Sequence, residues 1–173
     1  MSKIMLRALT IADIDKTLKW HNLIHIQDNY LSHPFPVNME MERKWYDKIL
    51  TSNIPITVFG IEYIANNELI GITVLKEINF INRSSEFGIY IGEEKYNGKG
   101  LAKEATLLTL RFAFYKLGLN RVFLKVIEDN ITAIKLYKSV GFKNEGLLRQ
   151  SVFKNNSYKN EIIMSILNNE FNG

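Results

Sequence analysis

Apolar and polar positions follow two rhythms along this chain, and the switches between them outline its elements. Ile4 to Leu9 reads as a short opening strand. Thr10 followed by Asp13 has capping-box spacing, which predicts a first helix from Ile11 to His21. After a polar, irregular stretch containing Pro34 and Pro36, Asn38 caps a second helix through Leu50. Ile54 to Tyr63 and Glu68 to Ile78 form a hairpin turning at Ala65-Asn66-Asn67, and Asn79 to Ser84 turns the chain again. Phe87 to Ile91 is almost continuously apolar, the pattern of a strand covered on both faces. Gly98 and Gly100 lead into a long helix, Leu101 to Leu117, closed by Gly118. Arg121 to Ile127 is another apolar strand, and Asn130 opens a helix that ends near Val140 with Gly141 as its stop. Two last strands, Leu147 to Phe153 and Tyr158 to Leu167, flank Asn155-Asn156, residues that tolerate positive φ. The central alternation of strand and helix predicts a locally parallel sheet inside one mixed α/β domain spanning residues 1–173.

Composition narrows the chemistry. The 173 residues contain no cysteine, which removes disulfides, thiolate nucleophiles and thiolate metal ligands together. Apolar runs such as Ile56 to Ile61 are too short to span a bilayer, and the first twenty residues lack an apolar signal core. A cytoplasmic protein without a membrane partner is the expectation. The net charge of +4 lies wholly in residues 86–173, which hold 13 basic and 9 acidic side chains against 9 and 9 in residues 1–85. A basic half suits an anionic cofactor or a nucleic acid, or is simply a lysine-rich surface. A nucleic-acid module would carry its lysines in a stripe with aromatics between them, and here they are scattered.

Two segments carry candidate chemistry. Tyr96-Asn97-Gly98-Lys99-Gly100-Leu101-Ala102 joins a buried strand to a helix. The first N–H groups of that helix lack internal partners, its dipole favours an anion, and glycine lets backbone approach a phosphate closely. Neither a Walker A loop nor a dinucleotide fingerprint fits the spacing, and from this segment alone a plain strand-to-helix turn is the stronger reading. Asn130, Ala133 and Tyr137 then share one helical face, with Gly141-Phe142 directly after. That face suits a helix beside a narrow ligand, or a capping Asn130 above a core tyrosine.

Together these segments resemble the GNAT acetyltransferases. The family's cofactor loop, Arg/Gln-x-x-Gly-x-Gly/Ala, is matched by Asn97 to Ala102, with Asn97 in place of the usual Arg or Gln. Its later helix, Asn-x-x-Ala followed by Leu-Tyr-x-x-x-Gly-Phe, is matched by Asn130 to Ala133 and Leu136-Tyr137 to Gly141-Phe142. The resemblance extends to Leu6-Arg7, Asn82-Arg83, Glu86 and Glu145-Gly146 to Arg149, and points to the branch of ribosomal-protein and spermidine acetyltransferases. It implies a GNAT fold: a mixed, mostly antiparallel sheet with a parallel, splayed central pair flanked by helices. It also implies acetyl-CoA as cosubstrate, no metal, a small-molecule or peptide amine as acceptor, and the homodimer common in the family.

By that resemblance the amine attacks the thioester directly in a ternary complex. Tyr137 is then the candidate acid for the departing thiolate, and Ile89, Tyr90 and Ile91 supply backbone groups for the pantetheine and the oxyanion. Gly98 to Lys103, including Lys99, Gly100, Leu101 and Ala102, hold the pyrophosphate, with Asn97, Asn130 and Ala133 beside the cofactor. Glu86 shares a strand face with Gly88 and Tyr90, so it binds the amine, relays its proton, or forms a salt bridge, for instance to Arg83. The family's first helices cover the acceptor, which makes Trp20, Asn22, His33 and Phe35 candidates for lining the pocket or for ordinary packing. His21 and His25 stand four apart with no evident third ligand for a metal. Glu40 and Glu42 face different directions on their helix. A polyamine, a protein N-terminus and an amino-sugar nucleotide all remain open as acceptors. The rival function is an inactive GNAT-fold sensor or interaction module.

Overall fold

Strands that bury alternate side chains, and near the centre both faces, assemble here into one seven-stranded sheet. The computed structural model describes residues 2–29, 35–51 and 56–173. The strands are β1 (Ile4–Arg7), β2 (Thr57–Tyr63), β3 (Glu68–Asn79), β4 (Ser84–Ile91), β5 (Arg121–Ile127), β6 (Lys143–Lys154) and β7 (Ser157–Leu167). Their order across the sheet is β1-β2-β3-β4-β5-β7-β6, and every neighbouring pair is antiparallel except β4 and β5. That parallel ladder runs only from Ser84↔Arg121 to Glu86↔Phe123, after which the two strands separate. The mixed sheet with one parallel, splayed pair is the expected GNAT arrangement.

Helices cover both faces. On one side α4 (Leu101–Tyr115) and α5 (Ile131–Val140) pack Leu110, Phe114, Ile134 and Tyr137 onto Phe87, Val122, Leu124 and Met164. The other side carries α1 (Ile14–His21), α2 (Ile24–Asn29) and α3 (Met39–Thr51), whose Trp20, Ile26 and Tyr46 pack on Leu69, Ile72 and Tyr90. Tyr90 and Phe87 thus face opposite layers, as strand alternation requires.

Several boundaries differ from the sequence reading. Ile11–Asp13 is a single 3-10 turn and the α-helix starts at Ile14, because Arg7 grips both Asp13 carboxylate oxygens at 2.8 Å. The predicted irregular stretch contains the short helix α2, whose six residues lack the length for a visible period. β4 begins three residues earlier than expected, since Ser84 to Glu86 complete both its ladders. β6 begins at Lys143 because Lys143 and Asn144 already pair with β7. The turn at Asn155-Asn156 has φ of 50° and 58°, as its residue types suggested.

Candidate active site

Past Glu86, β4 and β5 have no ladder between them, and the gap opens into a cleft of 1620 Å3. Single small-molecule pockets hold roughly 300–1,000 Å3, so this cleft has room for two ligands. Glu86, Ile89, Tyr90 and Ile91 from β4 line it opposite Lys125, Val126 and Ile127 from β5.

One end of the cleft has the backbone geometry expected of a phosphate cradle. Gly98 and Gly100 adopt φ of +71° and +76°, and a Cβ at either would meet nothing within 4 Å. The glycines answer a backbone need there, and the space beside them stays open for a ligand. The first helical bond of α4 runs from Glu104 N–H to Gly100 O. Among the described residues, no protein acceptor takes the N–H groups of Gly98 to Lys103, so these donors converge at the positive end of the helix. Asn97, Leu101, Ala102 and Lys103 stand on the cleft wall, whereas Lys99 turns aside to sit 5.2 Å above the Tyr96 ring. The cradle is braced from outside. Lys95 Nζ and Tyr96 O–H both donate to Glu68 at 2.8 Å and hold its carboxyl at about 2. This donor set fits a pyrophosphate, and Lys103 adds charge beside it.

Helix α5 supplies the middle of the cleft. Asn130 Oδ1 caps the helix by accepting Ala133 N–H at 3.1 Å, while its Nδ2 donates to Asn29 Oδ1 at 3.2 Å. Asn130 therefore joins the start of α5 to the end of α2. Tyr137 lies below it, 8% exposed, against Phe87 and Phe142. Its hydroxyl has no protein partner among the described residues, and burial pushes it up to about 12. A buried, unpartnered hydroxyl on a cleft wall is a donor kept for a ligand.

The far end of the cleft, where the acceptor is expected, carries buried carboxylates. Glu86 is buried on the cleft wall and its Oε1 pairs with Lys76 Nζ at 3.0 Å, not with Arg83 as the sequence suggested. The cause is register: Lys76 stands directly across from Glu86 in the β3–β4 ladder. Glu42 is also buried here, while Glu40 faces solvent and pairs with Lys44. Sequence reasoning passed over Glu42, although its face of α3 could have been found from the spacing Glu42, Trp45, Tyr46.

Three expected pocket residues do not stand on the cleft wall. Trp20 is fully buried, its indole N–H donating to Glu93 at 3.1 Å and its ring packed edge-on to Tyr90. His21, next along α1, takes the cleft-facing place instead. Asn22 clamps the chain, bonding Leu18 O, Val37 O and Val37 N–H at 2.8–2.9 Å. Phe35 is exposed away from the cleft. His33 lies outside the described residues.

Comparison with known proteins gives this geometry a context. The family described as "Acetyltransferase (GNAT) domain" matches residues 3–143. The spermidine N(1)-acetyltransferase of Vibrio cholerae is 34% identical over 170 residues, covering 98% of this chain and 96% of its own. The spermidine N(1)-acetyltransferase of Escherichia coli is 32% identical over 168 residues, covering 97% and 88%. A crystal structure of the Vibrio cholerae enzyme in complex with CoA and spermine superposes with a TM-score of 0.91 at 32% identity, covering 98% of both chains.

Proposed function

This chain belongs to the GNAT acetyltransferase family and is an acetyl-CoA-dependent N-acetyltransferase, and from that premise we propose that its acceptor is a polyamine of the spermidine class. The observation that carries the reading is likeness over almost the whole chain, acceptor-covering helices included, to two spermidine acetyltransferases. The buried carboxylates Glu42 and Glu86 on the acceptor side agree with a cationic guest.

Acetyl-CoA lies with its pyrophosphate on the Gly98–Lys103 donors and its pantetheine along the free edge of β4. Backbone groups of Ile89 to Ile91 pair with the pantetheine amides and the developing oxyanion. Glu86 receives the substrate ammonium, displacing the half-exposed Lys76. The amine then attacks the thioester carbon in a ternary complex, and Tyr137 hydrogen-bonds the departing thiolate. Full proton transfer from a phenol at about 12 to a thiolate near ~8.5 is uphill by about 5 kcal/mol. Donation therefore accompanies C–S cleavage instead of preceding it. Holding amine and thioester together contributes roughly 7–11 kcal/mol in well-oriented systems.

One observation favours a second acceptor class. Glu86 is paired with Lys76, Glu42 is already hydrogen-bonded to His21 and Thr17, and Lys48 adds a cation to the cleft lining. Lysines beside carboxylates that already have partners suit an amine with an anionic handle, such as an amino-sugar nucleotide. Comparing kcat/KM for spermidine, an amino-sugar nucleotide and a short peptide separates the readings. The polyamine reading requires spermidine to lead, and preference for the nucleotide would replace it with the second.

A further inference from the structure

Three polar side chains on the acceptor wall form a buried chain that the steps above leave unused. Glu42, from α3, is 1% exposed; its Oε1 accepts the Thr17 hydroxyl at 2.5 Å, and its Oε2 lies 2.8 Å from His21 Nδ1. On the other side of the imidazole, Nε2 lies 3.1 Å from the Tyr90 hydroxyl. The three residues come from α3, α1 and β4, and all line the cleft on the sheet face that carries Glu86.

Burying a carboxylate, an imidazole and a phenol together costs several kcal/mol unless they satisfy one another, and apolar residues would pack the space at less cost. The order of the groups also gives them direction. A carboxylate that takes Thr17 on one oxygen takes Nδ1–H on the other, which leaves the Nε2 lone pair to accept from Tyr90 O–H. The phenol oxygen keeps acceptor capacity of its own toward a donor in the cleft.

We propose that Tyr90, His21 and Glu42 form the relay that turns the bound substrate ammonium into the attacking amine. The ammonium gives one proton to Tyr90 Oη while the Tyr90 proton passes to His21 Nε2, and the imidazolium is held by Glu42. The freed nitrogen pair forms the C–N bond, the C–S bond breaks, and the thiolate takes its proton from Tyr137. The second nitrogen proton replaces the one Tyr137 gave, and His21 returns its proton to solvent through the open cleft. Tyr90 touches the substrate, and Glu42 is a positioning residue. The charged and titratable groups sharing His21's surroundings are Glu42, Tyr46 and Lys48 from α3, His25 from α2, and Glu86 and Tyr90 from β4.

The relay rests on amine acetylation and not on the polyamine assignment, so the assay uses whichever of the three acceptor amines turns over. The readout is kcat/KM against pH for the wild type, Tyr90→Phe and His21→Gln. The wild type holds a plateau through neutral pH. Each variant falls roughly 10²- to 10⁴-fold at pH 7 and then climbs about tenfold per pH unit as free amine accumulates, so the deficit closes with rising pH. A deficit of the same factor at every pH, or a retained plateau in Tyr90→Phe, overturns the proposal. Tyr90→Phe keeps the ring and its packing, so it decides the question even where His21→Gln does not fold.

Discussion

At the residue scale, burial does opposite things to two aromatics on opposite faces of the sheet. Tyr137 keeps an unpartnered hydroxyl pushed up to about 12, so it stays protonated throughout the working range. Tyr137→Phe is expected to lower kcat by roughly 10²- to 10⁴-fold without weakening acetyl-CoA binding, read as kcat beside a melting shift. Ionisation of Tyr137 should cost the wild type no activity below about pH 10, because the raised value lies above that point. Trp20, in contrast, is a wall of the core. A Cβ on Gly92 would stand 2.2 Å from its ring. Gly92→Ala should therefore destabilise by roughly 1–3 kcal/mol, seen as a melting point lower by roughly 2–12 °C. The tyrosine and its helix partner Asn130 were legible because they lie seven residues apart on one face. The Glu42–His21–Tyr90 chain was not legible, because its members come from three elements that only the folded sheet brings together.

At the element scale, the sequence revealed strands and long helices through their periods, and it missed what tertiary pairing adds at their ends. Ser84 fell within the expected turn and the expected strand began only at Phe87, yet Ser84 to Glu86 form the whole parallel ladder, and the cleft begins where that ladder stops. The glycine turn into α4 was legible from its residue types, but its brace was not. Glu68, at the start of β3, holds Lys95 and Tyr96 just before the loop, and those contacts bring its carboxyl down to about 2 from 4.5. A lowered carboxylate contributes stability that is present above its unfolded value and lost as pH falls through the folded one. Melting temperature should therefore decline between about pH 4.5 and pH 2, and Glu68→Gln should flatten that decline. The same variant should weaken acetyl-CoA more than the acceptor, as measured by separate titrations.

Across the whole molecule, two helical layers clamp a sheet whose one parallel pair separates, and the gap between them opens the cleft proposed to hold both ligands. Of the 13 basic side chains in residues 86–173, Lys103 at the start of α4 and Lys125 on β5 line the cleft. Acetyl-CoA at a hundred times its Kd should stabilise the fold by about 2.7 kcal/mol, or roughly 5–11 °C for a chain of this size. The most direct test of direct transfer between two bound ligands is thiol release, followed while acetyl-CoA and amine are varied together. The chain has no cysteine to contribute a background. Intersecting double-reciprocal lines, with no thiol released until amine is added, are the predicted result. Parallel lines, or a burst of thiol before any amine is present, would mean an acyl-enzyme and contradict the account.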